Sequence, residues 1–488
     1  MRNATPSICV VGGGFTGVAA TIACLRRVNR PFCLTLVEPS AALGRGVAFG
    51  GHDPLHLLNV RARDLSIHAD RPSDFLNWAF RQLDQGENDD ALHAGLAHAF
   101  LPRQLFGEYV RQQFYEMVER RKDVDLDHVS SVATGCIADK GRFQIQLDRA
   151  DSITADVVIL ATAYGLQLPE RSGALAPYGN LASDQLPKAG SIALIGSGLT
   201  MVDVLLAARR QGFLGNATVI SRHGQLPRPH APKGVITREI GLPHFKRVSV
   251  LTAAVRLACQ AAEAHGTPWQ ATVNGLRSSM PEMWQELSFE EQARFLRHAR
   301  RFWDTHRHRL PLEIHEQIRA EFESGRAILL RGRVTEVERQ PDGFKLTFRR
   351  SGSGEAEVIE TDLAFNCTGH KPELGSPLIK SLMNQGLACP DVHGLGVTVK
   401  PDGQVIGRGS AITHGLFALG PLCQGSLWEI TSVPEIVRQS DAAAKSVAAM
   451  WESAGTPAAA GALASSTSLG GLREVELSVR CASVAYPQ

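Results

Sequence analysis

Two glycine-rich turns, each set between an apolar run and a helix-like stretch, constrain the fold of this chain more than any other feature. The first lies in ICVVGGGFTGVAATIACL, with Gly12, Gly14 and Gly17 in G-x-G-x-x-G spacing. The second lies in SIALIGSGLTMVDVLLAARR, with Gly196, Gly198 and Thr200. Glycines at such a turn allow backbone to approach a pyrophosphate closely, and the helix start aims its N–H groups at the anion. One turn implies one dinucleotide. Two imply a pair, one passing electrons to the other.

In the first unit a second apolar run, CLTLVE, ends at Glu38, and an acid about 20 residues beyond the glycines is placed to meet ribose hydroxyls. In the second unit Met201 replaces the third glycine, and Asp203 reads as a first-turn acid. The next strand, ATVIS, ends in Ser221 and Arg222, where the first unit carries its acid. A guanidinium and a hydroxyl can bind a 2′-phosphate that a carboxylate would repel. A hydrogen bond to a charged group is worth about 1.5–3 kcal/mol, so one such contact favours NADPH over NADH by about tenfold or more. Nicotinamide binding is expected, with a lean towards NADPH.

The fold class expected is therefore α/β, with two Rossmann-like dinucleotide-binding domains, for FAD and NAD(P), and a helical elaboration in the second. Composition agrees: 488 residues, 44% hydrophobic and 20% charged, suit a chain of two or three domains. A net charge of +2 gives no argument for nucleic acid or membrane as partner. None of the nine cysteines forms a C-x-x-C pair, which argues against a zinc site and against the dithiol of a disulfide reductase. With no leader-like start and no long apolar run, the expected location is cytoplasmic.

A weak internal echo suggests the domain plan. After the first unit come VSSVATGC, RFQIQLD and TADVVILATAYG; after the second come RVTEVE, FKLTFRR and ETDLAFNCTGHKPE. In both, a strand led by Asp156 or Asp362 runs into a small-residue turn, which suits a chain crossing close to bound cofactor. The plan expected is an FAD domain in two pieces, 1–185 and 330–450, around an NAD(P) domain at 186–329. The Ala/Ser/Gly-rich stretch 451–488 reads as a disordered tail.

The run from 225 to 325 is too long for a simple nicotinamide domain and reads as helical. Phe295, Ala299, Phe302 and Trp303 share one face at helical spacing, with His306 continuing it, and Arg294, Arg297, Arg300 and Arg301 lie opposite. The cluster His306, Arg307, His308 and Arg309 suits either a capped helix end or a site. The loop SRHGQLPRPH, with Arg228 and His230, is equally open to both readings.

These segments, with LGRGVAFGGHDPLHLLNVRA, FLPRQLFGEY, FWDTHRHR and LFALGPLCQGSLWEITSVPEI, resemble a bacterial FAD/NAD(P)-binding protein family. Its layout is similar to that of class B-like flavin monooxygenases, and it includes a flavin-dependent urate hydroxylase and nitrosuccinate synthase-like enzymes. The resemblance implies that Gly12, Gly14, Gly17 and Glu38 hold the FAD adenosine and pyrophosphate. Arg45, Gly46, His56 and Asn59 would lie along the flavin, Arg103, a candidate catalytic residue, and Gln104 near its ring or ribityl chain, and the Val132 backbone near adenine. Gly420, Pro421 and Leu422, with Glu429, Ile430 and Thr431, would close the far end. Gly196, Gly198, Thr200, Ser221 and Arg222 would serve the nicotinamide cofactor.

The chemistry so implied has NAD(P)H reduce FAD and the reduced flavin use dioxygen to oxygenate a small, nitrogen-rich anionic substrate. No residue is marked as general base by the sequence. His306 and His230 are candidates because a group titrating near neutrality could manage the substrate proton. Conversion of urate to 5-hydroxyisourate, in purine catabolism, is the specific expectation. Alternatives are N-hydroxylation of an amino acid or amine, and an FAD-dependent NAD(P)H reductase or electron-transfer protein.

Overall fold

The computed structural model describes residues 5–50, 56–83, 90–165, 173–177, 185–233, 235, 237, 245–370, 372 and 374–455. The first body is entered through β1 (Ser7–Val11), β2 (Cys33–Val37), β3 (Asp125–Val129), β4 (Ala133–Asp139), β5 (Arg142–Leu147), β6 (Ile153–Ala155) and β7 (Val157–Leu160). The chain then builds a second body from β8 (Ser191–Ile195), β9 (Asn216–Ser221), β10 (Ala327–Gln340), β11 (Gly343–Arg350), β12 (Ala356–Thr361) and β13 (Leu363–Asn366). It returns to the first with β14 (Gln404–Ile406) and β15 (Ile412–Ala418).

The first sheet has the order β14-β15-β7-β1-β2-β3, and only the β14 edge is antiparallel. Its central strand β7, VVIL, is buried at every residue, as expected of a parallel strand covered on both faces. The second sheet has the order β12-β11-β10-β9-β8-β13, with β8, β9 and β13 parallel and a β10–β11–β12 meander at one edge. The echo in the sequence is therefore structural. In the first body β3 extends the parallel sheet and β4 opens a separate antiparallel sheet; in the second, the single strand β10 does both.

Matching contacts anchor both units. Asp156 accepts hydrogen bonds from the Ser7 N–H and hydroxyl, each at 2.8 Å, and Asp362 accepts from the Ser191 N–H at 2.9 Å. Each acid thus ties the crossing strand to the start of its first strand. A Cβ on Gly12 would lie 2.5 Å from the Ala161 carbonyl oxygen, and one on Gly196 would lie 2.6 Å from that of Cys367. Both glycines have positive φ, +103° and +109°, so any other residue would be strained as well as crowded. The helices diverge at the third motif position. A Cβ on Gly17 would sit 1.7 Å from the Gly12 oxygen, whereas Met201 is accommodated with no exposure. The second unit therefore has room for a side chain at this position.

The expected boundary at 329/330 is corrected by pairing: it cuts β10, and β10 to β13 all belong to the second sheet. Hairpin strands alternating in polarity look alike in both bodies, so the sequence does not reveal which sheet they extend. The helix Val433–Gly455 likewise takes in the first residues of the expected tail, with Trp451 buried against Phe32 at 5.9 Å. Residues 456–488 lie outside the described residues.

Within the 225–325 run the helices expected there occupy Val248 to Glu323, while the described residues of 225–247 are not helical; the small core of these helices is completed by the first body. Trp284 stacks on Trp428 at 5.0 Å and donates Nε1–H to the Gly425 carbonyl at 2.7 Å. Arg277 forms a salt bridge with the buried Glu435. The insertion thus springs from the second domain and docks on the first. Among the described residues no helix is long and apolar enough to cross a membrane.

Gly17→Ala is expected to cost about 1–3 kcal/mol or more through overpacking, and to lose bound flavin. A Cβ on Gly198 meets nothing within 4 Å, so Gly198→Ala should cost under about 1 kcal/mol. Thermal unfolding of both variants compares them directly.

Candidate functional site

At the first turn, the helix Phe15–Arg27 begins at Gly14 with no side-chain cap and no acid in its first turn. Over it lies a loop in which Gly44 N–H donates to the Gly13 carbonyl at 2.8 Å, and a Cβ on Gly46 would come within 3.3 Å of Gly14. Arg45, on this loop, has a buried Nε with no hydrogen-bond partner. Uncapped N–H groups and an unspent guanidinium N–H together fit a pyrophosphate. Glu38 stands beside the turn, accepting from Gly13 N–H at 2.7 Å and Ser40 N–H at 3.0 Å. Gly420 closes from the other side: a Cβ there would be 2.9 Å from the Thr16 hydroxyl. Leu422 and Ile430 are buried nearby in sequence, and Thr431 is partly exposed. Val132 departs from expectation, because its N–H and carbonyl are both taken by Asp148, at 2.8 and 3.0 Å.

Between the bodies runs a narrow cleft lined by His56, Asn59, Arg103, Leu199, Asp203 and Leu310, among others. Arg103 spans it, with Nη2 3.0 Å from Asp203 and Nε donating to the Leu57 carbonyl at 3.1 Å. Its charge is thus engaged in joining the bodies. Asp203 is not a first-turn acid: its helix, Leu199–Arg210, has none there, and the residue sits one turn further in. Gln104 donates to Glu108 on its own helix at 3.2 Å.

At the second turn, the helix start at Gly198 is again uncapped. Ser221 ends β9 and pairs in register with Arg331 of β10, and Arg222 follows, exposed. Beside them Arg301, from the helical insertion, contacts His223 Nδ1 at 2.9 Å and keeps a buried Nε without partner. Burial, and then Arg301, Arg222 and Arg331, hold His223 below its ordinary pKa. Among the described residues no carboxylate pairs with these three arginines. Arg301 and Arg331 add to the expected pair, and only tertiary structure brings them there.

The insertion carries the remaining polar chemistry. Its central helix contains a π-turn at Phe295–Ala299, which shifts the register after Phe295. Phe295 is therefore buried while Phe302 is 44% exposed. Arg300 pairs with Asp304 at 3.3 Å and lies over the Trp428 ring at 5.4 Å, so the expected solvated basic face is partly spent. Arg307 donates Nε–H to Glu429 at 2.8 Å, and Trp303 donates to the same carboxylate. Glu429 adopts φ +75°, a left-handed conformation that costs a non-glycine residue about 1–3 kcal/mol and clusters at functional sites.

His230 donates Nε2–H to the Asn59 carbonyl at 3.0 Å and packs at a tilt against the Phe100 ring, 4.7 Å between centroids. Burial, reinforced by Arg309, pushes it down to about 3. The ring is neutral near pH 7 and does not titrate there, contrary to expectation. His306 donates Nδ1–H to the Phe302 carbonyl at 2.7 Å, leaving the Nε2 lone pair available. Burial holds it below its ordinary value. Arg309, only 2% exposed, lies over Trp269 at 5.7 Å.

His230 contributes stability that is fully present above its unfolded pKa of about 6.5 and is lost as pH falls through about 3, because the unfolded chain binds the extra proton. His230→Gln should therefore flatten the acid limb between these values by about one proton. Urea unfolding at pH 7 and pH 4.5 measures it; an unchanged slope would contradict this assignment.

Residues 9–165 match a family model described as FAD-NAD(P)-binding. The uncharacterized protein YdhS of Escherichia coli K12 is 23% identical over 270 residues, 47% of this chain and 49% of that protein. The match spans about half the length of that relative. Among solved structures, the chain resembles the Kutzneria sp. 744 ornithine N-hydroxylase, with a TM-score of 0.63 at 12% identity, covering 92% of this chain and 100% of that one. The ornithine hydroxylase of Pseudomonas aeruginosa gives 0.62 at 15%, covering 92% and 100%. The L-lysine 6-monooxygenase of Pseudomonas syringae gives 0.59 at 14%, covering 93% and 100%. The chain carries an FAD/NAD(P)-binding domain and shares the overall fold of these hydroxylases.

Proposed function

We propose that this chain is an FAD-dependent, NADPH-driven monooxygenase that N-hydroxylates a small amine or amino acid. The observation that carries this reading is the pair of uncapped glycine turns in bodies joined by Arg103 and Asp203. Supporting it, the fold extends over more than nine-tenths of the chain onto two ornithine hydroxylases and a lysine monooxygenase. Those neighbours favour N-hydroxylation over the urate hydroxylation expected from the sequence.

In this reading Arg45 and the Gly14 helix start hold the FAD pyrophosphate, and Glu38 turns to the ribose. Ser221, Arg222, Arg301 and Arg331 hold the 2′-phosphate of NADPH. Bound FAD, reduced by NADPH, supplies the activation of dioxygen and the transfer of one oxygen atom to substrate nitrogen. An ammonium must lose a proton before its lone pair can accept oxygen. His306 Nε2, neutral near pH 7, is the acceptor we assign to that proton. The Trp284–Trp428 stack and the Arg307–Glu429 ion pair hold the insertion against the segment that would close the far end of the flavin, where it would exclude water.

Flavin-loaded protein supplied with NADPH, air and a panel of amines, amino acids and urate should consume NADPH and release a hydroxylamine in equal amounts. Urate-dependent consumption without hydroxylamine would restore the urate reading, and substrate-independent quinone reduction would replace both with a reductase. Arg222→Ala and Arg301→Ala should each weaken NADPH binding by about 10- to 100-fold with NADH nearly unaffected, as read from KM for the two cofactors.

A further inference from the structure

Arg309 is 2% exposed, and buried arginines are ordinarily paired with an acid. This one is not. Nη1 donates to the Gln270 carbonyl at 3.4 Å, Nη2 donates to the Asn274 side chain, and the guanidinium lies over Trp269. Nε is buried with no partner, and among the described residues the charges that act on the group are the cations Arg307, Arg61 and Arg277. Burial without an anion lowers Arg309 to about 9. Water could fill the vacant hydrogen bond but would leave the charge uncompensated.

Gln270, 7% exposed, carries the complementary vacancy. Its Nε2 donates to the Pro229 carbonyl at 3.4 Å. A carbonyl only accepts, so this contact fixes the amide orientation and assigns the unpartnered buried atom as the acceptor Oε1. One buried donor on a cation and one buried acceptor therefore sit on residues hydrogen-bonded to each other. Around them are Trp269, His306, whose ring meets Trp269 edge-on at 4.9 Å, and the loop that His230 ties to Asn59.

We propose that Arg309 and Gln270 form the recognition site for a small anion that carries an N–H donor. The anionic group takes the Arg309 Nε–H, and the ligand's N–H donates to Gln270 Oε1. An α-amino acid and the urate monoanion share this chemistry. The proposal deepens the monooxygenase reading and rests on it for calling the ligand a substrate; the binding site itself does not.

The test uses flavin-loaded protein without NADPH, following the fluorescence of Trp269 with Trp269→Phe as the blank. L-aspartate, urate and succinate are titrated separately. L-aspartate or urate should saturate the signal, and succinate, which lacks the N–H donor, should bind about tenfold more weakly. Saturation by one and not the other identifies the source. Arg309→Gln should weaken binding at least about tenfold, with Arg309→Lys intermediate. Gln270→Met should abolish the preference over succinate, and it carries the test if Arg309→Gln does not fold. Binding unchanged in Arg309→Gln, or no response to any of the three anions, would overturn the proposal. Tight binding with no oxygenation would remove the monooxygenase reading and leave the site; oxygenation without Arg309-dependent binding would do the reverse.

Discussion

The whole arrangement depends on two close crossings, where Gly12 and Gly196 lie against the carbonyls of Ala161 and Cys367. Room for a Cβ is missing at both, and positive φ removes the alternative of a small shift. Only backbone can pass there. The crossing backbone fills the space a side chain would take, and beside it each helix start remains uncapped. Asp156 and Asp362 fix the same crossing from the opposite strand end, through Ser7 and Ser191. The repeat is thus mechanical as well as topological.

What distinguishes this chain from a plain pair of dinucleotide domains is its helical insertion. It originates between β9 and β10 but completes its core with Leu395 and Trp428 of the first body. Aromatic stacking supplies the apolar part of the docking. The ion pairs Arg277–Glu435 and Arg307–Glu429 are desolvated, so breaking either would leave a buried charge. The insertion also brings Arg301 beside His223 at the end of β9, and Gln270, which binds Arg309, against Pro229. One element therefore contributes to both the proposed 2′-phosphate site and the proposed substrate anchor.

Much of this was legible in the sequence, because it is local. The glycine turns, Glu38, the two small-residue crossings and the helices that lie between Val248 and Glu323 all announce themselves within short windows. What was not legible rests on long-range pairing. Nothing near Arg103 in sequence indicates that Asp203 will engage it, and nothing near Gln270 indicates a vacant acceptor. The π-turn at Phe295–Ala299 breaks the 3.6-residue count on which the Phe295–Phe302 face was built. His230 shows the same limit for electrostatics: its neutrality comes from burial and from arginines distant in the chain.

The central claim is that the two turns bind a flavin and its nicotinamide reductant close enough for electrons to pass. Anaerobic mixing of the purified, flavin-loaded protein with NADPH tests it in one measurement, followed by flavin absorbance. The account predicts a yellow protein whose colour bleaches on mixing and returns when air is admitted. Protein that retains no flavin after loading, or flavin that keeps its colour with both NADPH and NADH, would contradict it.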